Sequence, residues 1–263
     1  MKFVKANGLV IHYLDQGRRD DPPLVFINSL GTDFRIWNEV AEILAPHFRI
    51  VMYDKRGHGL SESGPDKNDI ADYARDFAAL LDVVGVGRAT IVGLSIGGLI
   101  AQEFYRQRPE RVGALVLCDT AAKIGTDEVW DQRIGQVERG GIEAIADSIL
   151  ERWFSAHFRA RRSTELAGMH AMLTRTSRQS YLAACGALKR ADLRPYAGRI
   201  QAPTLCVVGD EDGSTPPTLV KETAALIPGS RFEIIEGAGH LPNVEKPKIV
   251  AELVAEHARR AGS

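Results

Sequence analysis

The chain has 263 residues, 25% charged and 44% hydrophobic, which suits one large α/β domain. Its 33 basic and 34 acidic side chains leave a net charge of −1, a balance with no signal for nucleic acid or a membrane surface as partner. Met1-Lys2-Phe3-Val4-Lys5-Ala6-Asn7-Gly8 has no signal-peptide apolar core, and no apolar run nears the roughly 20 residues that span a bilayer. Cys118, Cys185 and Cys206 form an odd set without Cys-x-x-Cys spacing. They read as buried free thiols in a cytoplasmic protein, and no His or Cys pattern calls for a metal.

Residues 3–5 and 10–15, joined by Asn7-Gly8, predict a hairpin. Residues 24–27 form a short continuous apolar strand, as expected where both faces are covered. The loop Asn28-Ser29-Leu30-Gly31-Thr32-Asp33 and a helix over 35–44 follow. Next come a strand over 48–53, a glycine-rich loop from Asp54 to Ser61 and a helix over 70–84. A strand then runs to Leu94, a helix to about Arg106, and a strand over 114–118 ends at Asp119. This alternation predicts a mostly parallel sheet with helices on both faces and ligands beyond the strand ends.

From 120 to 190 the alternation stops, and helical pieces fall at 127–138, 142–154, 163–174 and 177–189. We expect a helical cap at 120–190, inserted after the sixth strand position into a core of 1–119 and 191–263. Strands at 204–208 and 231–235 and helices at 216–226 and 247–260 then complete an eight-stranded sheet.

The chemistry centres on Gly93-Leu94-Ser95-Ile96-Gly97, between an apolar strand and a helix start. Such a strand–turn–helix exposes the serine hydroxyl at its tip and aims free helix amides at the same point. A serine needs a base and a group that orients the base. His240 follows the last strand and is the proposed base; His12, His47, His58, His157, His170 and His257 are taken as structural or solvated. Asp212 is the proposed orienting carboxylate, with Asp210, Glu211 and Asp119 as rivals that spacing alone does not separate. The expected oxyanion donors are the Ile96 and Leu30 amides.

These motifs, with Asp54-Lys55-Arg56-Gly57-His58-Gly59-Leu60-Ser61, resemble the α/β-hydrolase superfamily over nearly the whole chain. The resemblance implies Asp212 as triad acid; the superfamily's frequent His-Gly oxyanion dipeptide is replaced by Asn28-Ser29. Within it the chain most resembles the 3-oxoadipate enol-lactone hydrolases. The likeness rests on residues 28–33, Gly93 to Leu99, Cys118 to Gly125, Trp130 with Arg133, Arg152-Trp153-Phe154 and Ala191 to Pro195.

That likeness implies opening of a carboxylate-bearing enol lactone to 3-oxoadipate, in aromatic catabolism through the β-ketoadipate pathway, without cofactor or metal. A small-molecule substrate with a free carboxylate asks for a cation in the cap. Arg133 with Trp130 is the first candidate and Arg152 with Trp153 the second. Oligomeric state leaves no trace in the sequence. A broad carboxylesterase or perhydrolase of the same fold, and a non-catalytic small-lactone receptor, are the competing expectations.

Overall fold

The computed structural model describes residues 1–262. Strands β1 (Lys2–Ala6) and β2 (Leu9–Gln16) form the expected hairpin. Its turn places Asn7 at φ 48° and Gly8 at φ 82°, the left-handed pair that a two-residue hairpin with matching twist requires. The remaining strands are β3 (Pro23–Ile27), β4 (Arg49–Tyr53), β5 (Ala89–Leu94), β6 (Val112–Cys118), β7 (Thr204–Gly209) and β8 (Arg231–Ile235). They lie in the order β1-β2-β4-β3-β5-β6-β7-β8, antiparallel through β1-β2-β4 and parallel from β4 onward. Every residue of β4, β5, β6 and β7 is buried, so both faces of the central sheet are covered.

The covering helices are α1 (Asn38–Leu44), α2 (Ile70–Val84) and α3 (Ile96–Gln107) before β6 is reached. Between β6 and β7 come α4 (Asp127–Gly140), α5 (Glu143–Trp153), α6 (Ala156–Arg161), α7 (Ser163–Thr174), α8 (Arg178–Arg190) and the short α9 (Arg194–Ala197). The chain closes with α10 (Pro217–Leu226), α11 (Pro242–Glu245) and α12 (Pro247–Arg260). Among the described residues no helix is long and apolar enough to cross a membrane.

Two local differences from the sequence reading have simple causes. The helix expected over 35–44 is split into a 3-10 turn, Phe34–Trp37, followed by α1. Asp33 accepts from the Arg35 amide and pairs with its guanidinium, while the Phe34 amide donates to Asp54, so the chain is tied into a tighter turn. Helices α6, α9 and α11 went unseen because six or four residues are too few for a 3.6-residue period to register.

Helices α5, α7 and α8 reach the loops at the carboxyl ends of the strands. A Cβ on Gly31, just after β3, would lie 2.5 Å from Leu173, 3.3 Å from Tyr181 and 3.6 Å from Trp153. The Leu241 amide donates to the Trp153 carbonyl at 3.2 Å, and the Gly213 amide to the Arg152 carbonyl at 3.3 Å.

Candidate active site

Ser95 sits between β5 and α3 at φ 57° and ψ −119°, a conformation that costs an L-residue about 1–3 kcal/mol. Its surroundings enforce it. A Cβ on Gly97 would fall 2.5 Å from the Ile27 carbonyl oxygen, and one on Gly93 would fall 2.4 Å from that of Gly97. Strand, turn and helix therefore pass closer than any side chain permits. The Ser95 amide donates to the Cys118 carbonyl at 3.0 Å, and the Thr120 hydroxyl donates to the Ser95 carbonyl at 2.6 Å. Both backbone ends of the serine are held while its hydroxyl is left over. Among the described residues that hydroxyl makes no hydrogen bond, and the residue retains 8% exposure.

The loops after β7 and β8 converge for the same steric reason: a Cβ on Gly209 would meet the carbonyl oxygens of Gly239 and Ala238 at 2.2 and 2.3 Å. This brings Asp212 and His240 together. His240 Nδ1 lies 2.9 Å from Asp212 Oδ2 and 3.0 Å from Oδ1, and both side chains are buried. The pairing assigns the ring proton to Nδ1 and leaves Nε2 as the basic nitrogen. Asp212 also accepts from the Ser214 amide at 2.7 Å, the Thr215 amide at 3.0 Å and the Thr215 hydroxyl at 2.7 Å. Burial alone would raise its pKa, but His240 and the Thr215 hydrogen bonds prevail and hold it below the usual carboxylate range.

The rival carboxylates have other work. Asp210 accepts from the Ala238 amide at 3.2 Å, and Glu211 accepts from the Ala156 amide at 3.0 Å. Asp119 is the closer neighbour. One donor atom each of Asp119, Asp212 and His240 lie within 4.8 Å of one another. Asp119 is fully buried at φ 46°, accepts from the Gly209 amide at 3.0 Å through Oδ1, and leaves Oδ2 without a partner among the described residues. Burial first, then the charge on Asp212, pushes its pKa well above the ordinary value.

The loop after β3 is tied down residue by residue. The Asn28 side-chain amide donates to the Thr32 carbonyl, and the Thr32 hydroxyl donates to the Ser29 carbonyl at 3.0 Å. Asn28-Ser29 thus shapes the loop from inside the protein. Among the described residues neither the Leu30 nor the Ile96 amide donates to a protein acceptor.

The glycine-rich loop after β4 is structural. Asp54 accepts from the Phe34 and Leu60 amides, both at 2.9 Å, and contacts His12 Nδ1 at 2.7 Å. His58 is buried with Nδ1 3.0 Å from the Arg56 carbonyl, and burial, reinforced by Lys55, drives its pKa well down.

The four candidate side chains on the helices between β6 and β7 divide. Arg133 stacks on Trp130, its guanidinium carbon 4.9 Å from the ring centroid, while the Trp130 indole donates to the Ile124 carbonyl at 2.7 Å. Trp153 lies over Gly31, and Arg152 packs its stem 3.0–3.2 Å from where a Gly213 Cβ would stand, next to Asp212. Burial and then the charge of Arg133 lower the Arg152 pKa. Among the described residues neither has a carboxylate within ion-pair distance, although nearby cap cations such as Lys189 and Arg159 do. Tyr181, which sequence reasoning missed, joins the two ends of the site. It touches Gly31 while its phenol, raised in pKa by burial, feels the pull of both arginines. Its only sequence signal was a buried-face position on α8, shared by any core aromatic.

The α/β-hydrolase-fold family matches residues 22–247. The chain is 34% identical to 3-oxoadipate enol-lactonase 2 of Acinetobacter baylyi over 97% of this chain and 95% of that one. Among solved structures, the enol-lactonase from Burkholderia xenovorans LB400 superposes with a TM-score of 0.94 at 34% identity, covering 97% of this chain and 99% of the other. A thermophilic esterase from Thermogutta terrifontis, with malate bound, also reaches 0.94 at 27% identity, covering both chains completely. Strand order, the tight strand–turn–helix at Ser95 and likeness of the full chain agree: this protein belongs to the α/β-hydrolase family and is a hydrolase enzyme.

Proposed function

We propose that the protein opens 3-oxoadipate enol-lactone to 3-oxoadipate by serine nucleophilic catalysis, within aromatic catabolism in the cytoplasm. The observation that carries this reading is the pair of half-buried arginines, Arg133 and Arg152, without carboxylate partners among the described residues, linked through Tyr181 to the loop after β3. A neutral ester would leave that double cation uncompensated; a substrate carboxylate compensates it. The names of the relatives agree with it.

In this reading Ser95 Oγ attacks the lactone carbonyl while His240 Nε2 takes its proton. Asp212 holds the imidazole and stabilises the imidazolium. The oxyanion meets the free Leu30 and Ile96 amides. The ring C–O bond then breaks, His240 returns the proton to the departing enol oxygen, and the enol tautomerises to the ketone. Water, deprotonated by His240, attacks the acyl-enzyme, and the proton passes back to Ser95 as the diacid leaves. Ser95 Oγ and His240 share no hydrogen bond in the structure; catalytic contacts of this kind often tighten only in the Michaelis complex.

The test compares kcat/KM of the purified protein on the enol lactone and on p-nitrophenyl acetate. The lactone should be preferred by at least about 100-fold, the weight of one or two charge-assisted bonds. Preference for the neutral ester returns the assignment to a broad esterase, which the Thermogutta likeness favours. Binding of the lactone without turnover makes the protein a receptor.

A further inference from the structure

Lys55 is the most deeply buried cation of the molecule that the mechanism above does not use. It is 1% exposed, and its ammonium nitrogen donates to the Ser29 carbonyl oxygen. Burial lowers its pKa well below the usual value, with Asp54 and Asp33 opposing. Holding an amine there is costly, and the acceptor it reaches is a particular one. The Ser29 carbonyl and the Leu30 N–H belong to the same peptide unit. The chain has no cis peptide bond among the described residues, so this unit is trans and planar, with its C=O and N–H pointing in opposite directions.

We propose that Lys55 is a positioning residue for the oxyanion hole: by clamping the Ser29 carbonyl it fixes and polarises the Ser29–Leu30 peptide, so that the Leu30 N–H faces the developing oxyanion. Rotation of that peptide away from the site would break the Lys55 bond. A donor on the oxygen also strengthens the N–H at the other end, since hydrogen bonds through one amide reinforce each other. The Thr32 hydroxyl, 3.0 Å from the same oxygen, and the Thr32 amide, at 3.4 Å, are the weaker clamps. The pull is felt most when the substrate oxygen carries charge, so the effect belongs to the transition state rather than to substrate binding.

The inference rests on the serine-hydrolase reading, and its test keeps the two apart by using p-nitrophenyl acetate, whichever natural substrate holds. Ser95→Ala is measured first. If it turns over the ester as wild type does, the serine reading fails, and the inference with it. With Ser95 established, Lys55→Met removes the ammonium while filling its channel with a flexible chain. We expect kcat to fall about 10- to 100-fold, less than the loss of a whole oxyanion donor. Affinity for phenylboronic acid, whose adduct with Ser95 carries a tetrahedral oxyanion, should fall by the same factor. KM should stay within about threefold, and Lys55→Gln, which keeps a neutral donor, should recover part of both. A folded Lys55→Met with wild-type kcat and boronate affinity overturns the inference, as does a loss confined to KM. If Lys55→Met does not fold, Thr32→Val loosens the same carbonyl. It should lower kcat and boronate affinity together about three- to tenfold, and no change in either overturns the inference.

Discussion

The rim of the sheet and the helices between β6 and β7 treat charge in opposite ways. On the rim each acidic or basic group has hydrogen-bond partners. Asp212 is met by His240, Ser214 and Thr215, Asp54 by two amides and His12, and Glu245 by the Gly239 amide at 2.7 Å. In the helical segment Arg133 and Arg152 are half-buried and near enough for the charge of one to act on the other, with no carboxylate at ion-pair distance among the described residues. A rim held by so many hydrogen bonds fixes its side chains in one geometry, whereas an uncompensated pair of cations is a vacancy for a ligand's charge. In the proposed function, reaction and recognition reside in different parts of the chain and should respond to different substitutions.

The largest effect expected from the rim is that of Ser95→Ala, about a millionfold loss in kcat. Single-turnover assays should find no acyl-enzyme; residual turnover near wild type would remove the rim from the chemistry. Asp212→Asn should cost on the order of 10⁴ in kcat, by loss of the correct imidazole tautomer, with little change in KM. If it costs less than tenfold, Asp119 is supplying the orienting carboxyl, and the double variant Asp119→Asn/Asp212→Asn would then lose the remainder.

On the recognition side, Arg133→Leu should raise KM for the enol lactone about 10- to 150-fold and leave kcat nearly intact. Its KM for p-nitrophenyl acetate should not move. Equal effects on both substrates would mean that Arg133 serves folding rather than recognition, and the contrast between the two regions would dissolve.

The smallest effect concerns stability. Asp119 has a folded pKa above its unfolded one, so between those values the folded state holds a proton that the unfolded state releases. Its contribution is most favourable at low pH and is lost as pH rises through that window. Asp119→Asn removes the linkage while keeping an acceptor for the Gly209 amide. Thermal melts should show it about 2–4 °C more stable than wild type at pH 8, with the gap closing toward pH 4. A gap that does not change with pH would show Asp119 to be ionised in the folded protein.

Strand positions and the placement of residues 95, 212 and 240 in loops after parallel strands were legible in the sequence, because short apolar runs and glycines at strand ends report local backbone demands. The separation of Asp212 from Asp210 and Glu211 came from the family resemblance and not from spacing. All three follow the same strand, and only the close pass at Gly209 decides which one faces His240. Tyr181 and Leu173 were illegible for a related reason. Their approach to Gly31 joins segments about 140 residues apart and depends on how helices stack, which periodicity does not encode. Lys55 stood in plain view inside a signature loop, yet nothing in its spacing told that its amine turns inward to a carbonyl.

The contact at Gly31 also bears on how this protein can diverge. Because Leu173, Tyr181 and Trp153 rest directly on the loop that presents the Leu30 amide, a grafted set of helices from a relative cannot change selectivity in isolation. Any swap that shifts those three side chains shifts the peptide beneath them, so new preferences will tend to arrive with altered turnover unless the graft preserves the footprint on that glycine.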